Sequence, residues 1–272
     1  MSGAFLITLR EGLEAALIIG IILGYLYKTG QSRFNRQVYF GLAAAILASI
    51  LTAVMFESLL GGFEKHEKIF EGAFMLLAVG LLTPMIIWMQ RNSQNIRSNL
   101  ESRINSALTG KQLFGLALIS FLSVYREGVE TVLFMEAAAF NSGTGRTLAG
   151  GVLGILTAVI LAVLIFRGTA KLNLSVFFKI TGIILVFFAA GLTAHGVHEL
   201  QEAGIIPVFI EHLWNTNGIV NEKGLAGSFL KALFGYNGDP SLLEVVSWCL
   251  YMVSVGRLFL NSAQKVKQAA KI

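Results

Sequence analysis

Two five-residue stretches carry the same charges in the same order, Arg10-Glu11-Gly12-Leu13-Glu14 and Arg126-Glu127-Gly128-Val129-Glu130. Residues three and four apart share one face of a helix. Glu11 and Glu14 therefore project together with Arg10 one turn from Glu14, and the second motif repeats the arrangement with Glu127, Glu130 and Arg126. Each arginine can hold a carboxylate in place and offset part of its charge. Gly12 and Gly128 let another backbone approach closely. Four carboxylates and two guanidiniums carry a formal charge of −2, which suits a divalent or trivalent cation. Oxygen ligands favour hard or borderline ions such as iron, manganese, magnesium or calcium. Two Arg–Glu pairs that only fasten helices would account for two carboxylates and leave two to be neutralised. A proton relay without metal is the other use of such a pattern.

Further ligand types gather near the ends of apolar segments. Glu57 ends one of them, and Glu64, His66 and Glu67 follow in a short loop. Glu71 opens the next segment, and Glu136 lies near the end of the one that carries the second motif. His195, His198 and Glu199 share a helical face, with Glu202 beyond them. Oxygen and imidazole together suit iron, and like charges in a cleft concentrate cations. The expected ligand set is thus Glu11, Glu14, Glu127, Glu130, Glu71, Glu136, His195, His198 and Glu199. Glu57, Glu64, Glu67 and Glu202 form an acidic mouth, and Arg10, Arg126, Gly12 and Gly128 support the motifs. His66 and His212 read as ordinary surface residues. The single cysteine, Cys249, excludes an internal disulfide framework or thiolate cluster. No nucleophile–base constellation or phosphate-binding loop points to an enzyme.

The elements that must position these residues are membrane helices. The chain has 272 residues, 55% hydrophobic and only 14% charged, whereas a soluble domain carries roughly a quarter charged residues. A spanning helix needs about 20 mostly apolar residues. Seven segments qualify: 3–27, 38–60, 69–89, 112–139, 147–167, 177–199 and 242–260. The period-two alternation of a membrane β-barrel is absent. The N-terminal residues have no basic stretch before the apolar run, so they read as part of the first helix rather than a signal peptide.

Loop charges set the direction. Lys28, Arg33, Arg36, Arg91, Arg97, Arg103, Lys111, Arg167, Lys171, Lys179, Lys265, Lys267 and Lys271 all fall on one side, with Glu101 the only acid among them. Glu57, Glu64, Glu67, Glu71, Glu199, Glu202, Glu211, Glu222 and Asp239 fall on the other. The positive-inside rule puts the basic side in the cytoplasm, the N-terminus outside and the C-terminus inside. The net charge of +5 thus reports topology, not nucleic-acid binding.

With about 1.5 Å rise per residue, Glu11 and Glu14 lie roughly 12–17 Å, and Glu127 and Glu130 roughly 15–20 Å, below the outer surface. The four carboxylates can therefore meet. Motifs in spans one and four point to an inverted three-plus-three repeat plus a seventh helix, within one integral-membrane unit over 1–272. Repeat one covers about 1–90, repeat two about 111–200, an outer connection about 200–241 and the seventh helix about 242–260. Such repeats place the substrate site at their interface near mid-membrane, with release driven by changed packing between them. The outer connection, with Trp214, Phe229 and Phe234, reads as short interfacial helices or a docking place for an external partner.

LREGLEAALI at 9–18 and YREGVETVLF at 125–134 give the chain a resemblance to the high-affinity iron permease family. Its fungal members work beside a multicopper ferroxidase, and its bacterial members are of the EfeU and FtrC type. Supporting segments are IFEG at 69–72, LLTPMIIWM at 81–89, AHGVHELQEAGIIP at 194–207 and LFGYNGDPSLLEV at 233–245. The resemblance implies that Glu11, Glu14, Glu127 and Glu130 bind iron during transport and that Arg10 and Arg126 are required. It implies iron as transported substrate with no permanently bound cofactor, in a bacterial inner membrane. It also implies periplasmic partners, an iron-binding protein and an iron oxidase or peroxidase. A permease for another divalent metal such as lead or manganese, or a metal-binding membrane sensor, is the alternative.

Overall fold

The computed structural model describes residues 2–60, 67–92, 96–109, 114–167, 174–222 and 224–269. These residues are helical with connecting turns, and no strand occurs among them. The helices are α1 (Ser2–Lys28), α2 (Asn35–Leu60), α3 (Glu67–Asn92), α4 (Ile96–Thr109), α5 (Gly115–Ser142), α6 (Thr144–Phe166), α7 (Leu174–Glu202), α8 (Leu225–Phe234) and α9 (Leu242–Ala269). A 3-10 turn, Ser32–Phe34, leads into α2.

Five of them, α2, α3, α6, α7 and α9, are long and apolar enough to cross a membrane. The motif helices α1 and α5 are as long, at 27 and 28 residues. They differ because each carries the three charges of its motif. The exposed faces of the long helices are strongly apolar: Leu47, Leu51, Leu153, Ile160, Leu250 and Leu260 all point outward, as lipid-facing residues do.

The helices associate in two groups. In one, α1 packs most extensively on α6, α2 on α5, and α1 also meets α5. In the other, α3 packs on α7, and α9 on both. Small residues make the first group close. A Cβ added at Gly12 would lie 2.9 Å from the Ala158 Cβ of α6, and one at Gly154 would meet Thr8, Phe5 O and Leu9 N of α1. Thr8 Oγ1 donates to Gly151 O at 2.9 Å across the same seam. A Cβ at Gly128 would run into Ser49 of α2. Without a hydrophobic drive between helices in lipid, such close packing is what holds them together. Each motif glycine thus seats its helix on the second helix of the other half of the chain.

The second group is tied by Thr83 to Tyr251 at 2.8 Å and by Arg91 Nε donating to Ser262 at 3.0 Å, both from α3 to α9. The stretch between α3 and α5, read from sequence only as a basic loop, holds α4. Its Leu100 and Ile104 are buried against Ile22, Leu26, Val38 and Leu116. Spacing four apart puts both on one helix face, while polar neighbours hide the pattern from a span search.

The connection between α7 and α9 holds α8. Gly235 caps it in the left-handed conformation (φ +68°), and Gly235 lies so close to Gly191 of α7 that neither position has room for a Cβ. Glycine is needed twice here, once for the positive φ and once for the contact.

Candidate metal centre

Three motif carboxylates converge. Glu11 and Glu14 of α1 and Glu127 of α5 are all buried, and one oxygen from each lies within 4.8 Å of the others. Arg10 is only 1% exposed. Its Nε lies 3.0 Å from Glu14 Oε1 and its Nη1 3.6 Å from Glu11 Oε1. One guanidinium thus spans two carboxylates of its own motif. Glu127 makes no ion pair among the described residues. Both oxygens of Glu11, with Glu14 Oε1 and Glu127 Oε2, are buried and accept no hydrogen bond there. Buried carboxylate oxygens are costly when left this way, and a cation would satisfy them together.

The fourth carboxylate is placed differently. Glu130 Oε1 accepts a hydrogen bond from Arg126 Nε at 2.8 Å, and Glu130 stands outside the group of three. Arg126 is 54% exposed, with its guanidinium 5.7 Å from the ring of Trp88 on α3, within reach of a cation–π contact. The two motifs therefore carry the same charges and the same glycine but are unequal in setting: the first arginine is sealed, the second open. The expected four-way convergence becomes three acids with an adjoining ion pair.

The remaining expected ligands stay apart from this centre. His195, His198, Glu199 and Glu202 do share one face of α7, but they already have partners. Lys68 of α3 lies 3.0 Å from Glu199 Oε2 and pairs also with Glu202. His195 Nε2 is 3.6 Å from Glu199, and the two imidazoles stack with centroids 5.9 Å apart. His198 Nε2 is 3.1 Å from Glu202 Oε1 and its Nδ1 3.0 Å from Glu244 Oε1. Glu71 and Glu136 are half-buried on α3 and α5, and Glu57 is exposed on α2, near enough to Glu136 to repel it. Glu67 opens α3. Glu64 and His66 lie outside the described residues. His212, read as an ordinary surface residue, pairs with Asp239 at 2.9 Å.

Sequence reasoning missed Glu244. It is buried at the start of α9 and accepts hydrogen bonds from Asn237 Nδ2 at 2.7 Å and Ser241 N at 3.1 Å. With His195, His198, Glu222, Asp239 and Lys231 it lines a polar cavity of about 240 Å³ at the acidic end of the bundle. The only signal was its place in the segment 233–245.

Long apolar helices around a buried cluster of acids and an arginine define a multi-pass membrane protein with a carboxylate centre. The chain belongs to the iron permease FTR1 family, whose model matches residues 1–270. It is 37% identical over 253 residues to the ferrous iron permease EfeU of Escherichia coli O6:K15:H31, covering 92% of this chain and 91% of that protein. It is 34% identical over 259 residues to the ferrous iron permease EfeU of Yersinia pestis, covering 94% and 92%. No solved structure matches the chain.

Proposed function

We propose that this chain imports iron across the cytoplasmic membrane of a bacterium, binding it between Glu11, Glu14 and Glu127. The convergence of these buried carboxylates carries the proposal. With Arg10 against two of them, the group holds a formal charge of −2, which one Fe²⁺ ion balances. The named substrate of the relatives supports the ferrous ion. Glu130 and Arg126 form a neutral pair beside the site and complete the second motif.

The basic loops face the cytoplasm and the acidic end faces outward. The paired contacts of α1 with α6 and of α5 with α2 support an inverted repeat of α1–α3 and α5–α7, with α9 as the seventh span. Iron reaches the acidic end from a periplasmic iron-binding protein and an oxidase or peroxidase. There the polar cavity and the acids of α7 concentrate it by their field. The protein works as a transporter and not as an enzyme.

The test is uptake of radioactive iron in cells that lack other iron importers, with membrane levels checked by immunoblot. Glu11→Gln and Glu14→Gln each abolish uptake at unchanged membrane level. Uptake that persists in both variants overturns the proposal. The centre offers oxygen atoms alone, which Mn²⁺ also accepts. Competition by Mn²⁺ in proteoliposomes decides between a dedicated iron permease and a broader one.

A further inference from the structure

The carboxylate centre is bracketed by two apolar regions of unequal completeness. Toward the acidic end, one helical turn beyond each motif, stands a fully buried apolar side chain. Ile7 precedes Glu11 by four residues on α1, and Phe134 follows Glu130 by four on α5, so each shares its helix face with a motif glutamate. Both belong to one packed cluster with Met75 of α3 and Leu192 of α7, which are also fully buried. Three residues past Leu192 on α7 is His195, which lines the polar cavity. A layer of apolar side chains therefore separates that cavity from the carboxylates.

Toward the basic end the packing divides. There α1 and α5 pack with α2 and α4, through Ile19, Ile22, Val124, Leu100 and Ile104. The facing halves of α3 and α7 pack instead with α9, through Met85, Ile86, Leu185, Val255 and Phe259. This is the cluster that also holds Ile7 and Phe134, and every buried residue that α1 and α5 contribute to it lies on the acidic side of the motifs. Where the division begins, Arg126 is 54% exposed and Trp88 47% exposed. A guanidinium held against lipid tails at this depth is costly, which favours hydration of the exposed Arg126 from the basic side.

We infer that Ile7 and Phe134, closed against Met75 and Leu192, are the outer gate of the pathway, and that the centre communicates with the basic side past the exposed Arg126 and Trp88. An apolar constriction of this kind stops a hydrated cation by excluding its water. Iron passes from the outer cavity to the carboxylates only when the α1/α5 group parts from α3 and α7 at this layer. The gate assignment rests on the proposed passage of iron through the motif site.

The test reads access, not transport. In a Cys249→Ser background, the thiol introduced by Glu127→Cys is exposed to a charged, membrane-impermeant thiol reagent in right-side-out and in inside-out vesicles. Glu14→Cys is the second reporter should the first fail to reach the membrane. The thiol reacts in inside-out vesicles and at least about tenfold more slowly in right-side-out ones. Adding Phe134→Ala or Ile7→Ala raises the slow rate by about tenfold and leaves the fast one unchanged. Equal rates from both sides, no reaction from the basic side, or no response to either gate substitution overturns the gate. None of these readouts requires iron to move. Uptake that persists in both Glu11→Gln and Glu14→Gln would therefore overturn the transport reading alone.

Discussion

Replacing Glu127 with glutamine should make the metal-free protein more stable while disabling it. Glu127 is buried, lies within 4.8 Å of Glu11 and Glu14, and makes no ion pair among the described residues. At an effective dielectric constant of about 20, two like charges 4.8 Å apart repel by about 3.5 kcal/mol. The amide keeps the shape and removes that repulsion without breaking an ion pair. Side-chain relaxation and residual hydration take back part of it, leaving an expected gain of about 1–2 kcal/mol. For a chain of this size that is a rise in Tm of roughly 3–6 °C. The assay is thermal unfolding of purified protein in detergent with a chelator, followed by the same scan with Fe²⁺ under reducing conditions. Fe²⁺ stabilises the parent by about 2.7 kcal/mol at a hundred times Kd, seen as a higher Tm, and leaves the Tm of the variant nearly unchanged. Iron uptake by Glu127→Gln falls at least about tenfold, the loss expected if the charged ligand contributes more than about 1.4 kcal/mol. A lower Tm in the chelated variant refutes the reasoning, because it would show that the charge of Glu127 holds the fold together.

The seam between α1 and α6 predicts that Gly154→Ala costs about 1–3 kcal/mol by forcing α6 off the backbone of α1. It is read as a lower Tm and reduced membrane yield, with Gly24→Ala, where a Cβ meets nothing within 4 Å, as the neutral control. Removing Glu244 leaves Asn237, Ser241 and His198 without their shared acceptor. Glu244→Ala should loosen the connection over 204–241 by about 2–3 kcal/mol, seen as faster proteolysis there in right-side-out vesicles.

The motif carboxylates were legible because charge inside an apolar segment is rare and costly, so two matching copies stand out without any structure. The same charges set α1 and α5 apart from the other five long helices, which are apolar almost throughout. Ile7 and Phe134 carried no signal, since an apolar residue in an apolar helix looks like its neighbours. Helix α4 was missed because its apolar residues, Ile96, Leu100, Ile104 and Leu108, are set among polar ones and the segment is too short and too polar to cross a membrane. The acids of α7 were recognised as a group, but Lys68 and Glu244 come from distant parts of the chain. Only the packing of α3 and α9 on α7 shows that they occupy those side chains. Sequence also cannot tell Arg10 from Arg126. Their difference in exposure arises from which neighbours close over each motif.

The crossed packing of α1 on α6 and of α5 on α2 changes what can move as a unit. The seams at Gly12, Gly154 and Gly128 join helices from opposite halves of the chain. By packing, the helices form a clasped quartet, α1, α2, α5 and α6, and a trio, α3, α7 and α9. Neither follows the order of the chain, so the orientation of each glutamate pair is stored in the half that does not encode it.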